Sequence, residues 1–242
     1  MLGFSDPPLI DLRDLSFRWR SNGAEVLALD RLLVQPGERV FIEGPSGSGK
    51  STLLSLLAGM ALPQRGQVRI LGQDLAQLSG AGRDRFRAHH IGYIFQLFNL
   101  IPYLSIRENL ILPCHFSGQR RARALQRSAS LDAEAERLLR HLDLTDADLL
   151  GRPVTQLSVG QQQRVAAARA LMGAPELLIA DEPTSALDAD RRSAFIQLLF
   201  NECRAMGVTL VFVSHDAALE PLFDRTLRLN QINQAGQDRR AN

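Results

Sequence analysis

At 242 residues the chain is long for one domain and short for two, and its 45% hydrophobic and 22% charged residues suit a globular protein with a real core. A formal net charge of +2 gives no polyanion-binding signal and argues against nucleic acid as a partner. Cys114 and Cys203 lie far apart and match no metal-ligand spacing, so buried thiols in a reducing cytosol are expected rather than a disulfide framework.

The opening MLGFSDPPLIDLRD has no basic segment followed by an apolar one, so no signal peptide is read. The longest apolar-rich stretch, LLSLLAGMAL at 53–62, is about half of the roughly 20 residues a membrane span needs. Candidate strands follow in order at 39–44, 67–72, 91–96, 177–182, 209–215 and 225–230. FIEG, LLIA and LVFVS within them are apolar nearly throughout, as strands buried on both faces should be. Helical patterns lie between them. STLLSLLAGM follows the first glycine-rich loop, and 131–144 puts leucines on one face and charges on the other. Residues 158–173 open on a Ser-x-x-Gln capping box, Ser158 to Gln161, and end at Gly173 with Pro175 beyond. A last helix is expected over 188–207, starting at an Asp188 cap and stopping at Gly207. The alternation predicts a mostly parallel α/β sheet, broken from about 97 to 172 by a helical insertion.

The first glycine-rich loop holds the only lysine among 28 basic residues. Gly44-Pro45-Ser46-Gly47-Ser48-Gly49-Lys50-Ser51 fits G-x-x-x-x-G-K-[ST] between an apolar strand and a helix. In such a loop successive backbone N–H groups point at phosphate oxygens, and the helix that follows adds its positive end. A compact ammonium can touch the β- and γ-phosphates inside the loop, where a planar guanidinium is too wide. Ser51 would supply a hydroxyl to Mg²⁺. A second feature, LLIADE, places Asp181 and Glu182 at a strand end. There one carboxylate can hold Mg²⁺ and the next can orient or deprotonate the attacking water.

A third feature sets the class. LSVGQQQRVAAARAL at 157–171 lies just before LLIADEPTSALD. With VFVSHD and the glutamine of IGYIFQ, it resembles the ATP-binding subunits of ABC transporters, from about Leu9 to Asn230. The resemblance implies a P-loop NTPase core of α/β class with a mainly parallel sheet, N-terminal antiparallel β elements and an inserted helical subdomain. It implies one ABC ATPase domain over 1–242: core about 1–96 and 173–230, helical subdomain about 97–172, and a C-terminal tail at 231–242. It also implies an ATPase using ATP and Mg²⁺, with residues 44–52, including Lys50, Ser51 and Thr52, as the Walker A site. Gln96 would be the Q-loop glutamine, reaching toward Mg²⁺ and the attacking water. Ser158, Gly160 and Gln161 would belong to the signature motif, Asp181 to Walker B and Asp188 to the D-loop. Glu182 would be the catalytic base and His215 the switch histidine. Trp19, 25 residues before Gly44, looks like the aromatic that stacks on adenine, with Phe17 as competing candidate or core residue.

In this family the signature motif closes on nucleotide held by a second subunit, which implies a head-to-tail dimer with a second copy or a homologous ATPase. The usual Leu-Ser-Gly-Gly-Gln has Val159 at its third position here, and a β-branched residue cannot easily take positive φ, so weaker closure or slower turnover is an expectation. FQLFNLIPYLSIRENLILP, 95–113, looks like the Q-loop region of the lipoprotein-release and macrolide-efflux branch. That resemblance implies integral membrane permease subunits as partners and a peripheral place on the cytoplasmic face of the membrane. Force transmission to an extracytoplasmic enzyme, an amino-acid-type importer and a soluble ATPase acting on nucleic acid or ribosomes are the alternatives. The apolar residues of 98–104 are read as a partly exposed docking groove, or else core. The arginine cluster at 118–127 is read as a solvated helix face or loop, with anionic lipid contact as its alternative.

Overall fold

A computed structural model describes residues 7–146, 149–185 and 187–235. In chain order it contains β1 (Ile10–Phe17), β2 (Leu27–Val34), β3 (Arg39–Glu43), α1 (Lys50–Leu57), β4 (Arg65–Ile70), β5 (Gln73–Asp74), α2 (Gly80–His90), β6 (Ile91–Ile94) and α3 (Ile106–Phe116). Then come α4 (Gly118–Arg127), α5 (Leu131–His141), α6 (Val159–Leu171), β7 (Leu177–Asp181), α7 (Ala189–Met206), β8 (Thr209–Val213), β9 (Arg225–Arg228) and α8 (Leu229–Ile232), with short 3-10 turns between some of them. The chain divides into two compact units, 1–84 with 212–242 and 85–211, and passes between them within α2 and within β8.

In the first unit β2, β1, β4 and β5 form an antiparallel sheet in that order. Ile10 pairs with Val34 on one side of β1 and with Ile70 on the other. The β1–β4 register shifts between Arg13 and Ser16. Asp14 takes a φ of 49° there, and a Cβ on Gly66 would meet the carbonyl oxygen of Arg13 at 2.4 Å, so only glycine fits opposite the bulge. β3 pairs in parallel with β9, from Val40–Arg225 to Glu43–Arg228. Phe41, Phe212 and Phe223 pack beside this pair, with ring centroids 5.1 Å apart from Phe223 to each of the others. The strand expected over 225–230 ends at Arg228, because the chain turns there into the short α8.

In the second unit β6 and β7 are parallel, from Ile91–Leu177 to Ile94–Ala180. α6 packs against β6 and against α3 and α5. A Cβ on Gly92 would lie 2.3 Å from the carbonyl oxygen of Ala170, so glycine sets how closely the helix end approaches the strand. Leu110, Ala135, Leu138, Val165 and Ala168 fill the space between these helices. Cys114 and Cys203 are both buried, as expected.

The arginine cluster is helical, as its reading as a solvated helix face or loop allowed, with Arg121 and Arg127 exposed, but two other arginines depart from that reading. It forms α4, and Arg120 is buried in the second unit. Its guanidinium donates to the carbonyl oxygens of Met172 at 2.7 Å and Ala170 at 2.5 Å, so it caps the C-terminal carbonyls of α6. Burial lowers its pKa to about 10, which leaves it charged at neutral pH. Arg123 is committed as well, donating to Glu176 at 2.6 Å and to the carbonyl oxygen of Ala174 at 2.8 Å. Spacing alone showed a basic helix; it did not show that two of its charges turn inward to carbonyls and a carboxylate.

Candidate functional site

Buried β3 delivers the chain into the loop 44–49, and α1 carries it away, beginning at Lys50. Gly47 and Gly49 take φ values of 80° and 100°, which lets the loop reverse direction. At Gly49 a Cβ would also sit 2.8 Å from Leu27 Cδ2. Gly44 is similarly constrained, since its Cβ would fall 2.5 Å from Ser48 Oγ. Lys50 Nζ donates to the carbonyl oxygens of Gly44 at 2.5 Å and Pro45 at 2.9 Å, so the ammonium is held at the loop by backbone oxygens. No side chain caps the start of α1 and no acidic residue lies in its first turn. Its leading N–H groups and positive end therefore suit an anion. Pro45, Ser46, Gly47 and Ser51 are exposed, while Thr52 is buried.

Thr52 accepts a hydrogen bond from Trp19 Nε1 at 3.2 Å. Trp19 is 61% exposed and Phe17 only 4%, their rings meeting edge to face at 5.0 Å. Phe17 is thus a core residue, and Trp19 presents the open aromatic surface near the loop. His215 is exposed just after Ser214, whose N–H donates to the carbonyl oxygen of Ile42 at 3.3 Å beside the end of β3.

In the second unit parallel β6 and β7 end side by side; Asp181 closes β7, and Gln96 and Glu182 follow the two strands. Gln96 is exposed, and Asp181 and Glu182 are half-buried. Glu182 takes a φ of 44°, a left-handed conformation uncommon for a residue with a side chain and often found at functional sites. Tyr93 on β6 hydrogen-bonds Asp181. Burial and the neighbouring Asp181 charge raise the pKa of this phenol well above its ordinary value, so it donates as a neutral hydroxyl. Sequence reasoning did not single out Tyr93; its place two residues before Phe95 on the strand beside LLIAD was the available sign.

Ser158 caps α6, accepting from Gln161 N–H, while Gln161 accepts in turn from Ser158 N–H. Ser158, Gly160 and Gln161 share a cleft of about 340 Å³ with Arg164, Leu187 and Arg191. Asp188 caps α7, accepting from Arg191 N–H at 2.9 Å. Val159 sits in ordinary helical backbone. It is the first residue of α6, half exposed, with no positive φ, so its position asks for no glycine-like conformation. The residues of 98–104 are mixed: Tyr103 is 85% exposed and Phe98 is buried.

One contributor near the loop was missed entirely. Asn233, in the stretch read as a tail, hydrogen-bonds the loop at Ser48. Residues 236–242 of that stretch lie outside the described residues.

Comparison with known proteins gives concordant matches. The ABC transporter family model matches residues 30–185. The chain is 43% identical over 198 residues to an uncharacterized ABC transporter ATP-binding protein, YbbA, of Escherichia coli, covering 82% of this chain and 83% of that one. It is 38% identical over 224 residues to a lipoprotein-releasing system ATP-binding protein, LolD 2, of Caulobacter vibrioides, covering 92% and 94%. It is 39% identical over 224 residues to a macrolide export ATP-binding/permease protein, MacB 2, of Aeromonas hydrophila, covering 92% of this chain but only 33% of that longer protein. A dimeric post-hydrolysis structure of the ATP-binding cassette MJ0796, bound to ADP and Pi, superposes with a TM-score of 0.73 at 33% identity, covering 91% of this chain and 94% of that one.

Proposed function

Because the chain belongs to the ABC transporter family, we propose that it is the ATP-hydrolysing subunit of a membrane complex, in which ATP-driven dimer closure powers integral membrane permease subunits. The observation that carries this reading is the loop 44–49 with Lys50 Nζ held among its own carbonyls. Export, efflux or lipoprotein release is the class of work favoured by the MacB and LolD relatives. Among the described residues no helix is long and apolar enough to cross a membrane. The proposal puts the chain peripherally, on the cytoplasmic face, beside its permease partners. It also takes 1–96 with 173–230 as the catalytic core and 97–172 as its helical insertion. The second copy is either this chain again or a homologous ATPase.

The roles follow from chemistry. Lys50 and the leading N–H groups of α1 bind the phosphate chain, and Trp19 offers its ring to the base. Glu182 takes the proton of the attacking water as its oxygen bonds to the γ-phosphorus, and the bond to the leaving ADP oxygen breaks in line. ADP and inorganic phosphate result. His215 and Gln96 orient the phosphate and the water. Ser158, Gly160 and Gln161 close on the nucleotide of the second subunit, next to Asp188.

Mg²⁺ fits the donor set assigned to it: the Ser51 hydroxyl, the Gln96 amide oxygen and the Asp181 carboxylate are all hard oxygens. When bound, it neutralises charge developing on the phosphate oxygens.

The test is Glu182→Gln. It should bind ATP, hydrolyse it at least about a hundredfold more slowly and accumulate as a dimer in size-exclusion chromatography. A monomeric, fully active variant would refute the mechanism. A second reading keeps the same engine but uses it for force transmission to an extracytoplasmic enzyme, or for amino-acid-type import. Identification of what co-purifies from solubilised membranes separates these.

A further inference from the structure

We infer that Asn233 is a positioning residue for the phosphate loop, an inference that rests on the nucleotide-binding reading of residues 44–52. Its amide is used on both sides. Oδ1 accepts from the N–H groups of Ala28 at 2.9 Å and Ala235 at 3.1 Å. Nδ2 donates to the carbonyl oxygens of Val26 at 2.9 Å and Ser48 at 3.2 Å. Two donors face the oxygen and two acceptors face the nitrogen, so one orientation of the amide satisfies all four. Asn233 N–H is itself fixed to the carbonyl oxygen of Leu229 at 2.8 Å, and Gln234 N–H to that of Ala28 at 2.9 Å. The segment after β9 thus lies along the start of β2 as a short extra backbone tie.

The bond to Ser48 has a consequence inside the loop. A trans peptide is planar, with its carbonyl and N–H pointing in opposite directions. Holding the Ser48 carbonyl toward Asn233 therefore turns the Gly49 N–H the other way, away from the C-terminal segment. Gly49 takes a φ of 100°, and a Cβ there would meet Leu27 Cδ2 at 2.8 Å and Val26 O at 3.2 Å, so the loop passes close to the start of β2 only because this residue is glycine. Asn233 thereby fixes the Ser48–Gly49 peptide plane, one residue ahead of Lys50, and ties it to Val26 just before β2 and to Ala28 on β2. Binding that requires preordered N–H donors is weakened when that plane is free to rotate.

The test uses the whole chain and the fluorescent nucleotides mant-ATP and mant-ADP with Mg²⁺. Asn233→Leu keeps the size of the side chain and removes every bond of the amide. Its Kd for both nucleotides should rise about tenfold, the loss of one well-placed hydrogen bond plus the ordering it supplied. Turnover at saturating ATP should stay within about twofold, because no transition-state contact is lost. Arg225→Met is the control. It removes ties of Arg225 to Leu33 and Glu38 in the same unit and lowers stability without touching the loop. Its nucleotide Kd should match the parent's. An unchanged Kd in Asn233→Leu overturns the inference, and so does an equal rise in Arg225→Met, which would mark general loosening. If Lys50→Ala binds mant-ATP as well as the parent does, the phosphate-loop reading itself fails, a result separate from either outcome at Asn233.

Discussion

Ser158 and Gln161 hold each other: the Ser158 hydroxyl accepts from Gln161 N–H at 3.3 Å, and Gln161 Oε1 accepts from Ser158 N–H at 2.9 Å. The pair satisfies two backbone donors at the start of α6, so residues assigned to the neighbouring subunit's nucleotide also build their own helix end. Ser158→Ala should cost about 1 kcal/mol of stability. ATP-driven dimerisation should fall with it, whereas Gln161→Ala should leave the Ser158 cap in place and destabilise less. Thermal unfolding together with size-exclusion chromatography in the Glu182→Gln background reads both effects. Equal stability of Ser158→Ala and the parent would show that the cap carries no weight.

Lys50 donates to two loop carbonyls, and an incoming phosphate chain offers stronger, charged acceptors in their place. Lys50→Ala should abolish detectable mant-ATP binding. Lys50→Arg should also lose at least about tenfold in affinity, because the guanidinium fork cannot act as a compact point charge. An arginine variant that binds as tightly as the parent would show that charge alone suffices.

The buried strands were legible because FIEG, LLIA and LVFVS are apolar on both faces, and β3, β7 and β8 lie where those runs are. The cap at Ser158 and the left-handed stop at Gly207 were legible from residue type and spacing. Residue runs alone did not locate β1 and β2. Their mixed stretches IDLRDLSF and LALDRLLV become strands through pairing with each other, and with β4 on the far side of β1. Long-range partners hid the rest. Arg120 looks solvated until Ala170 and Met172, some fifty positions away, supply its acceptors. Asn233 looks like tail until Ser48, 185 positions earlier, comes within hydrogen-bond distance.

Val159 departs from the glycine usual at its place, yet it stands half exposed at the first position of α6 with ordinary backbone. Val159→Gly should therefore change stability by less than about 1 kcal/mol and preserve or raise turnover. Steady-state ATPase measurement decides the point, and a large loss would give valine a specialised role.

Arg120→Met should be among the most damaging changes outside the nucleotide residues. It leaves the carbonyl oxygens of Ala170 and Met172 buried without their donor, at a cost of about 2–4 kcal/mol. Urea unfolding measures it. A loss under about 1 kcal/mol would mean that other donors reach the end of α6.

His89 and Glu176 make the second unit sensitive to acid in one direction. Burial lowers the pKa of His89 below its ordinary 6.5, helped by the positive charges of His90, Arg85 and Arg123 and opposed by Glu176. Its Nδ1 lies 2.7 Å from Ser117 Oγ. Below pH 6.5 an unfolded His89 takes up a proton that the folded one resists. The unfolded state then binds more protons, so stability falls as the pH drops through this window and levels off below the folded pKa. For Glu176, burial pushes upward, but the hydrogen bonds and charges of His90 and Arg123 outweigh it and hold the carboxyl below its usual 4.5. Its contribution is present above 4.5 and is lost as the pH falls through the folded value. The two therefore act in sequence with the same sign. The urea midpoint should decline from about pH 6.5 downward, first through His89 and then through Glu176. His89→Gln should flatten the upper part of that decline and leave the lower part, while Glu176→Gln should do the reverse. A midpoint in His89→Gln that falls as steeply as the parent's between about pH 6.5 and about pH 5 would place the acid sensitivity elsewhere.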